Sequence, residues 1–250
     1  MNQKRNICAI ILAAGRGSRM KSGDVNKVTM LIDDKPLISY GINLLQHLNI
    51  TPIIIVIGHA KKSVQAALKN TKVEFIEQVS PLGTGHAALT GFAKVPSLAT
   101  DVVILYGDDS YLYTKDILNK IINTHIIEDA AFTLLTIKVD NPQGLGRVVR
   151  DKSGKIQDII EEKDATDEQK KLKEINPNCY IFKAEFLKKY LPEIDKSPVT
   201  GEYYLPALIK IAIAKNEKIK AIDGGYLPWK GINTRQELEE AKKLIKMIKK

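Results

Sequence analysis

The stretch Ile7-Cys8-Ala9-Ile10-Ile11-Leu12-Ala13-Ala14-Gly15-Arg16-Gly17-Ser18-Arg19-Met20 decides the fold of this chain. Its first half is an apolar run of strand length, and its second half is a glycine-rich loop studded with arginines. In open α/β sheets ligands bind beyond the carboxyl ends of the strands, which makes such a loop the first place to look for a site. Gly15 and Gly17 allow a sharp turn and let backbone N–H groups approach a ligand closely. Arg16, Arg19, Lys21 and Lys27 add the positive charge that suits a polyphosphate. Two familiar phosphate patterns fail on one residue. The Walker pattern from Gly15 to Ser22 and the dinucleotide pattern G-x-G-x-x-G both need a glycine where Met20 stands, although Asp33 is spaced for a ribose contact.

Outward from this loop, short apolar runs alternate with longer helical patterns. Strands are expected at Ile7–Leu12, Ile53–Ile57, Val73–Ile76, Val102–Tyr106, Ala131–Lys138, Arg147–Arg150, Lys155–Ile160 and Asn178–Phe182. Helices are expected at Pro36–Leu48, Lys61–Lys69, Gly83–Lys94, Thr114–His125, Gly201–Ala214 and Thr234–Met247. Regular β/α interleaving in the first half reads as a Rossmann-like, mostly parallel sheet with helices on both faces. A hairpin over Asp151–Lys155 adds antiparallel elements later. The expectation is one α/β domain over residues 1–250, with residues to about 140 forming one lobe and the rest a second.

Composition narrows the class further. The chain has 250 residues, 44% hydrophobic and 27% charged, an ordinary globular profile able to bury a core. Its net charge of +9 suggests nucleic acid, but Lys4, Arg5 and the five lysines of residues 241–250 account for most of it. Without those seven, 31 basic side chains face 29 acidic ones, too even a balance for a nucleic-acid groove. The lysine tail reads as the solvated face of a last helix. No apolar run is long enough to span a bilayer, no signal sequence opens the chain, and Cys8 and Cys179 show no pairing pattern. A soluble cytoplasmic protein without nucleic-acid or stable membrane partners is expected.

Leu12-Ala13-Ala14-Gly15-x-Gly17-x-Arg19-Met20, followed by Lys27, resembles the signature of sugar-phosphate nucleotidylyltransferases. Gln78 with Leu82-Gly83-Thr84-Gly85-His86-Ala87, Leu105-Tyr106-Gly107-Asp108, Gly146-Arg147, the Glu161–Gln169 stretch and Glu174-Ile175-Asn176 extend the likeness. Gly201-Glu202-Tyr203-Tyr204 and Gly231-Ile232-Asn233-Thr234-Arg235 complete it. The ordered set is similar to the uridylyltransferase domain of the bifunctional N-acetylglucosamine-1-phosphate uridylyltransferase/glucosamine-1-phosphate acetyltransferase family, from about residue 7 to 240. The resemblance implies the nucleotide-diphospho-sugar transferase fold, UTP and a hexose 1-phosphate as substrates, and Mg²⁺ as cofactor. The chain ends about where that family's first domain ends, so acetyl transfer on a β-helix is not expected.

The resemblance also implies roles. Leu12, Ala13, Ala14 and Gly15 would wrap the nucleotide, Arg19 would hold the leaving phosphates, and Lys27 would neutralise the reacting phosphate. Gln78, Gly83 and Thr84 would form the base pocket, with Tyr106 and Gly107 beside it. Asp108 and Asn233 would hold Mg²⁺, and Gly146, Glu161 and Asn176 would bind the sugar. Asp109 is left out, because in a continuing strand it would point away from Asp108. By local sequence alone Thr84 reads equally well as a helix cap, Lys27 as an exposed loop lysine and Glu161 as solvated surface. His86 and Trp229 read as structural by default.

Three departures stand against the family pattern. Pro177-Asn178 follows Asn176 where Thr-Gly is usual, and Leu205-Pro206-Ala207 replaces an aliphatic residue, Thr and Asp. Asp109-Ser110 replaces a Val-Pro pair. The alternatives are therefore another hexose phosphate or nucleotide, such as glucose 1-phosphate or dTTP, or a catalytically weak homologue that binds UDP-sugar.

Overall fold

A computed structural model describes residues 5–17, 24–226, 229, 231–232 and 234–248. Its strands are β1 (Ile7–Ala13), β2 (Leu31–Ile32), β3 (Lys35–Pro36), β4 (Ile53–Ile57), β5 (Glu74–Glu77), β6 (Asp101–Tyr106), β7 (Phe132–Lys138), β8 (Arg147–Arg150), β9 (Ile156–Ile160), β10 (Glu174–Ile175), β11 (Cys179–Lys183) and β12 (Ile219–Tyr226). The helices are α1 (Leu37–His47), α2 (Lys61–Ala67), α3 (Thr84–Phe92), α4 (Lys115–Ile127), α5 (Asp167–Lys170), α6 (Ala184–Tyr190), α7 (Leu208–Ala214) and α8 (Arg235–Ile248).

Among the described residues, ten strands form one sheet in the order β5-β4-β1-β6-β11-β7-β10-β8-β9, with β12 paired to β7. β5, β4, β1 and β6 are parallel, whereas β11 runs antiparallel to both β6 and β7. β1 therefore lies inside the parallel half and buries both faces, which is why its sequence is apolar without alternation. Strand periodicity splits its side chains. Ala9, Ile11 and Ala13 pack with Ile38, Ile42 and Leu45 of α1, Val64 of α2 and Leu118 and Ile121 of α4. Cys8, Ile10 and Leu12 pack with Ala87 and Ala88 of α3, Phe186 and Leu187 of α6, and Leu208 of α7. Helices thus cover both faces, as the sequence implies.

β10 and β11 are two halves of one strand, both antiparallel to the same edge of β7. Five steps from Ile175 to Tyr180 oppose three from Ile137 to Leu134, so two extra residues bulge out at Asn176–Asn178. Below the bulge the strand pairs with β6, and above it with β8. The sheet opens at this point, beside the carboxyl end of β6. Asn178 turns the chain at φ 61°, a left-handed conformation that asparagine tolerates better than other residues bearing a Cβ. Its place in the bulge accounts for the residue that stands where the related pattern has glycine.

Other sequence expectations are corrected. The helix expected over Gly201–Ala214 begins only at Leu208, because Tyr203 forms a bridge with Lys196 and Pro206 sits in a short 3₁₀ turn. β12 and α6 were not expected: β12 carries Lys220, Asp223, Gly224 and Gly225, and its partner β7 is distant in sequence. The Asp151–Lys155 hairpin is present, closed by the Asp151 N–H bonding the Lys155 carbonyl at 2.9 Å.

Candidate active site

A cavity of about 710 Å³ lies beyond the carboxyl ends of β1, β5 and β6. Leu12, Ala13, Ala14 and Gly15 line it from the loop after β1, as do Arg16 and Gly17. Lys27, Gln78, Gly83, Thr84, Tyr106 and Asp108 line it as well, so the structure brings together most of the residues expected to hold the nucleotide and the reacting phosphate. Gly107 is not in the lining; its amide bonds the Leu12 carbonyl at 3.0 Å and fastens the end of β6 to β1. Arg19 and Asn233 lie outside the described residues. Of the two loop glycines, Gly17 takes the left-handed turn at φ 53°, while a Cβ on Gly15 would meet nothing within 4 Å.

Asn26 organises this loop, and no motif marks it. It is 1% exposed, and its amide donates to the carbonyls of Ala13 at 3.0 Å and His59 at 2.7 Å. Its side-chain oxygen accepts from Val28 N–H at 3.1 Å and caps the 3₁₀ turn that carries Lys27. One buried amide thus ties the end of β1, the loop after β4 and the turn that carries Lys27. Lys27 is no exposed loop lysine: it is 11% exposed and its ammonium forms an ion pair with Asp108.

The strand alternation expected to turn Asp109 away from Asp108 is not present. Strand alternation stops at Tyr106, where the chain turns and the Asp109 amide bonds the Tyr106 carbonyl at 3.3 Å. The turn buries Asp109 beside Asp108, and Asn178 Nδ2 donates to its carboxylate at 2.7 Å. Burial first, and the Asp108 charge second, push the Asp109 carboxyl up to about 7 against the opposing pull of Lys27 and Asn178. Two departures from the family pattern are therefore bonded to each other. The structure gives no reason for the third, at Pro206 and Ala207.

The wall of the cavity expected to face the base is built on Gly83. It adopts φ 107°, and a Cβ there would lie 2.5 Å from the Tyr203 carbonyl oxygen, so no other residue fits without movement. Tyr203 N–H bonds the Leu82 carbonyl at 2.8 Å, and Gly85 N–H bonds the Tyr203 carbonyl at 2.7 Å. Thr84 does not cap α3. Its hydroxyl accepts from Leu205 N–H at 3.0 Å and shares a hydrogen bond with the Tyr106 hydroxyl.

Gly146, Glu161 and Asn176 lie together, outside the cavity lining. A Cβ on Gly146 would stand 3.7 Å from Glu161 Oε1, and the Asn176 amide bonds the Gly146 carbonyl at 3.2 Å. Asn176 is buried, with its side-chain oxygen accepting from Asn178 N–H at 3.0 Å and its amide bonded to the Tyr180 hydroxyl. One amide hydrogen is left for a ligand. The structure also separates Glu161 from its neighbour. Glu162 pairs with Arg147 at 2.6 Å, while burial, Asp164 and Glu202 push the Glu161 carboxyl up to about 7. Glu202 lines the nucleotide cavity, so it links the two clusters. Trp229 is 5% exposed and stacks on Tyr113 with centroids 5.2 Å apart, which makes it core.

A glycine loop after the first strand and a paired lysine and carboxylate in a cavity at the carboxyl ends of β1, β5 and β6 form the arrangement expected of a nucleotidyltransferase. Residues 9–168 match the MobA-like NTP transferase domain, and the chain belongs to that family. It is 35% identical to the bifunctional protein GlmU of Psychrobacter sp. (strain PRwf-1), over 94% of this chain and 50% of that protein. It is 42% identical to the bifunctional protein GlmU of Francisella philomiragia, over 86% of this chain and 46% of that protein. The chain thus spans about half the length of these curated relatives. Two solved structures share the fold. One is a Bacillus anthracis protein assigned as a glucose-1-phosphate thymidylyltransferase, with TM-score 0.74, 22% identity and coverage of 95% of this chain and 94% of that one. The other is the inositol-1-phosphate CTP transferase of T. maritima, with TM-score 0.75, 19% identity and coverage of 100% and 98%.

Proposed function

We propose that the protein transfers the uridylyl group of UTP to N-acetylglucosamine 1-phosphate, releasing pyrophosphate and forming UDP-N-acetylglucosamine. In this reading the 250 residues are one catalytic unit, with a nucleotide lobe to about residue 140 and a sugar lobe after it. The observation that carries it is the Lys27–Asp108 ion pair in the wall of the cavity formed by Leu12 to Gly15. A paired ammonium and carboxylate at the end of β6 supply one group for a phosphate and one for a cation.

The chemistry needs little else from the protein. A phosphate monoester has a second pKa of about 6 and is already ionised at neutral pH, so no general base is required to activate it. Its oxygen attacks the α-phosphorus of UTP in line with departing pyrophosphate, and the barrier is chiefly the approach of two polyanions. Lys27 leaves Asp108 for the α-phosphate and neutralises it there. Backbone N–H groups around Gly15, with Arg16, hold the remaining phosphates. Arg19 is assigned to the leaving phosphates from its place in the motif. Gln78 and Gly83 read the base, and Glu161 and Asn176 bond the sugar hydroxyls.

Mg²⁺ suits the donor set. It is commonly held by one or two carboxylates together with substrate phosphates, not by an all-protein cage. Among the described residues no cluster of three or more His, Cys, Asp or Glu side chains forms such a cage, and Asp108 stands in the cavity wall as a carboxylate of that kind. Asp108 would hold the ion, with Asn233 as the second protein ligand by the motif. When bound, it would offset charge on the phosphates as they react.

A second reading keeps the reaction and changes the sugar. The Asn178–Asp109 bond favours it, because it places a polar pair beside the sugar cluster where the related pattern has Gly and Val. One experiment separates the readings: pyrophosphate release across four nucleoside triphosphates and several hexose 1-phosphates, with and without Mg²⁺. Fastest release with UTP, N-acetylglucosamine 1-phosphate and Mg²⁺ is expected. Release with no pair overturns the enzymatic reading; release only with dTTP or with another sugar overturns the substrate assignment. Among the described residues no helix is long and apolar enough to cross a membrane.

A further inference from the structure

We infer that His86 is a positioning residue that sets base selectivity, by locking the Gln78 amide with its oxygen toward the ligand. The inference rests on the uridylyl-transfer reading and deepens it. Gln78 is 6% exposed and lines the cavity, so the partners of its amide decide what it can offer a base. Gln78 Nε2 lies 3.1 Å from the Gly83 carbonyl oxygen, which can only accept. The nitrogen end of the amide must therefore face Gly83. The same Nε2 lies 2.9 Å from His86 Nδ1. An amide nitrogen only donates, so Nδ1 accepts and the imidazole proton sits on Nε2 of His86. Both hydrogens of the Gln78 amide are consumed inside the protein, and Oε1 remains as the group for a ligand.

Neither partner is free to drift. Gly83 is held by its fit against the Tyr203 backbone, and its carbonyl also accepts from Ala87 N–H at 3.0 Å. His86 sits in the first turn of α3, one residue after Gly85, which bonds the Tyr203 carbonyl. No described residue accepts from the Gly83 N–H. Oε1 and that N–H together present an acceptor beside a donor. An imide edge, N–H beside C=O, complements this pair, as in uracil and thymine. In the register that sets ring position 3 against Oε1 and position 4 against the Gly83 N–H, cytosine instead opposes acceptor to acceptor and donor to donor. Without an acceptor at position 86 the amide is held inward by the Gly83 bond alone and can flip about its last torsion, which turns Nε2 toward the ligand, where cytosine can use it.

The test is the ratio of kcat/KM for UTP to that for CTP, measured on the full chain with N-acetylglucosamine 1-phosphate. His86→Leu removes the acceptor. His86→Asn restores one, because its amide oxygen reaches about where Nδ1 lies. The ratio is expected to fall about tenfold in His86→Leu, the equivalent of one neutral hydrogen bond, chiefly through a higher KM for UTP. His86→Asn is expected to keep the wild-type ratio. A merely structural histidine would lower both nucleotides together and leave the ratio unchanged in His86→Leu, which overturns the inference. The same ratio is read from calorimetric binding of UTP and CTP without sugar phosphate. If turnover is absent but binding prefers UTP and His86→Leu erodes that preference, the lock stands and the proposed reaction fails. Preferential binding of CTP by the wild type overturns the lock.

Discussion

Replacing Asn26 by alanine tests the scaffold that holds Lys27. The side chain is 1% exposed and makes three well-formed bonds, at 3.0 Å to the Ala13 carbonyl, 2.7 Å to the His59 carbonyl and 3.1 Å from Val28 N–H. At about 1 kcal/mol net for each bond, Asn26→Ala costs about 3 kcal/mol of stability. For a protein of this length that lowers the melting temperature by roughly 6–12 °C. Turnover falls further than stability, because the 3₁₀ turn carrying Lys27 loses its cap; a displacement of Lys27 near 1 Å costs about a hundredfold. The assay pairs thermal melting followed by circular dichroism with pyrophosphate release at a temperature well below both midpoints. Asn26→Asp is the discriminating control. It keeps an acceptor for Val28 but turns a carboxylate toward two carbonyl oxygens, and is expected to be at least as damaging. A melting temperature and turnover unchanged in Asn26→Ala, or full rescue by Asn26→Asp, would refute the reasoning.

Further outcomes follow from single observations. Burial and the neighbouring Asp164 and Glu202 raise the Glu161 carboxyl from 4.5 to about 7 in the folded protein, so between those values the fold keeps a proton that the unfolded chain releases. Stability contributed by this group is thus present at low pH and lost as pH rises through about 7. Glu161→Gln should flatten urea midpoints over that window, and an unaltered slope would show that Glu161 is not the group responsible. If the ionised carboxylate accepts sugar hydroxyls, wild-type kcat/KM for the sugar phosphate rises through the same range, and the inflection vanishes in Glu161→Gln. Gly83→Ala places a Cβ 2.5 Å from the Tyr203 oxygen at φ 107° and should cost about 2 kcal/mol or more. A melting curve that overlays the wild type would contradict the clamp between Gly83 and Tyr203. Asp108→Ala should abolish most turnover and leave the circular dichroism spectrum intact; undiminished activity at saturating Mg²⁺ would remove Asp108 from the metal site.

The parallel half was legible because its determinants are local. Ile7–Ala13 and Ile53–Ile57 are apolar throughout, and the glycine loop follows β1 directly. What was missed depends on partners far along the chain. β12 has a mixed sequence and is a strand because β7 offers it an edge. Asp109 was set aside on strand alternation, which ends one turn too early for the rule to apply. Its bond to Asn178 crosses 69 residues of sequence, and that asparagine in turn adopts a conformation that only the bulge requires. Asn26 illustrates the same limit at the site. Nothing around it marks a residue whose amide reaches carbonyls 13 and 33 positions away. For Glu161 the motif alone picked one acid from a charged run, and what separates it from Glu162 is the pairing of Glu162 with Arg147, a partner distant in sequence.

The proposed reaction is transfer of the α-phosphorus of UTP to a sugar phosphate under the control of Lys27. Its most direct test follows two labels in parallel, with UTP carrying radioactive phosphorus at the α or the γ position, N-acetylglucosamine 1-phosphate and Mg²⁺. The α label is expected to enter a UDP-sugar and the γ label to appear in pyrophosphate, and Lys27→Ala to lose both at least a hundredfold, in line with a charge aimed at the reacting phosphate, about 10²–10³. Release of the γ label as inorganic phosphate, or transfer that proceeds unchanged in Lys27→Ala, would contradict it.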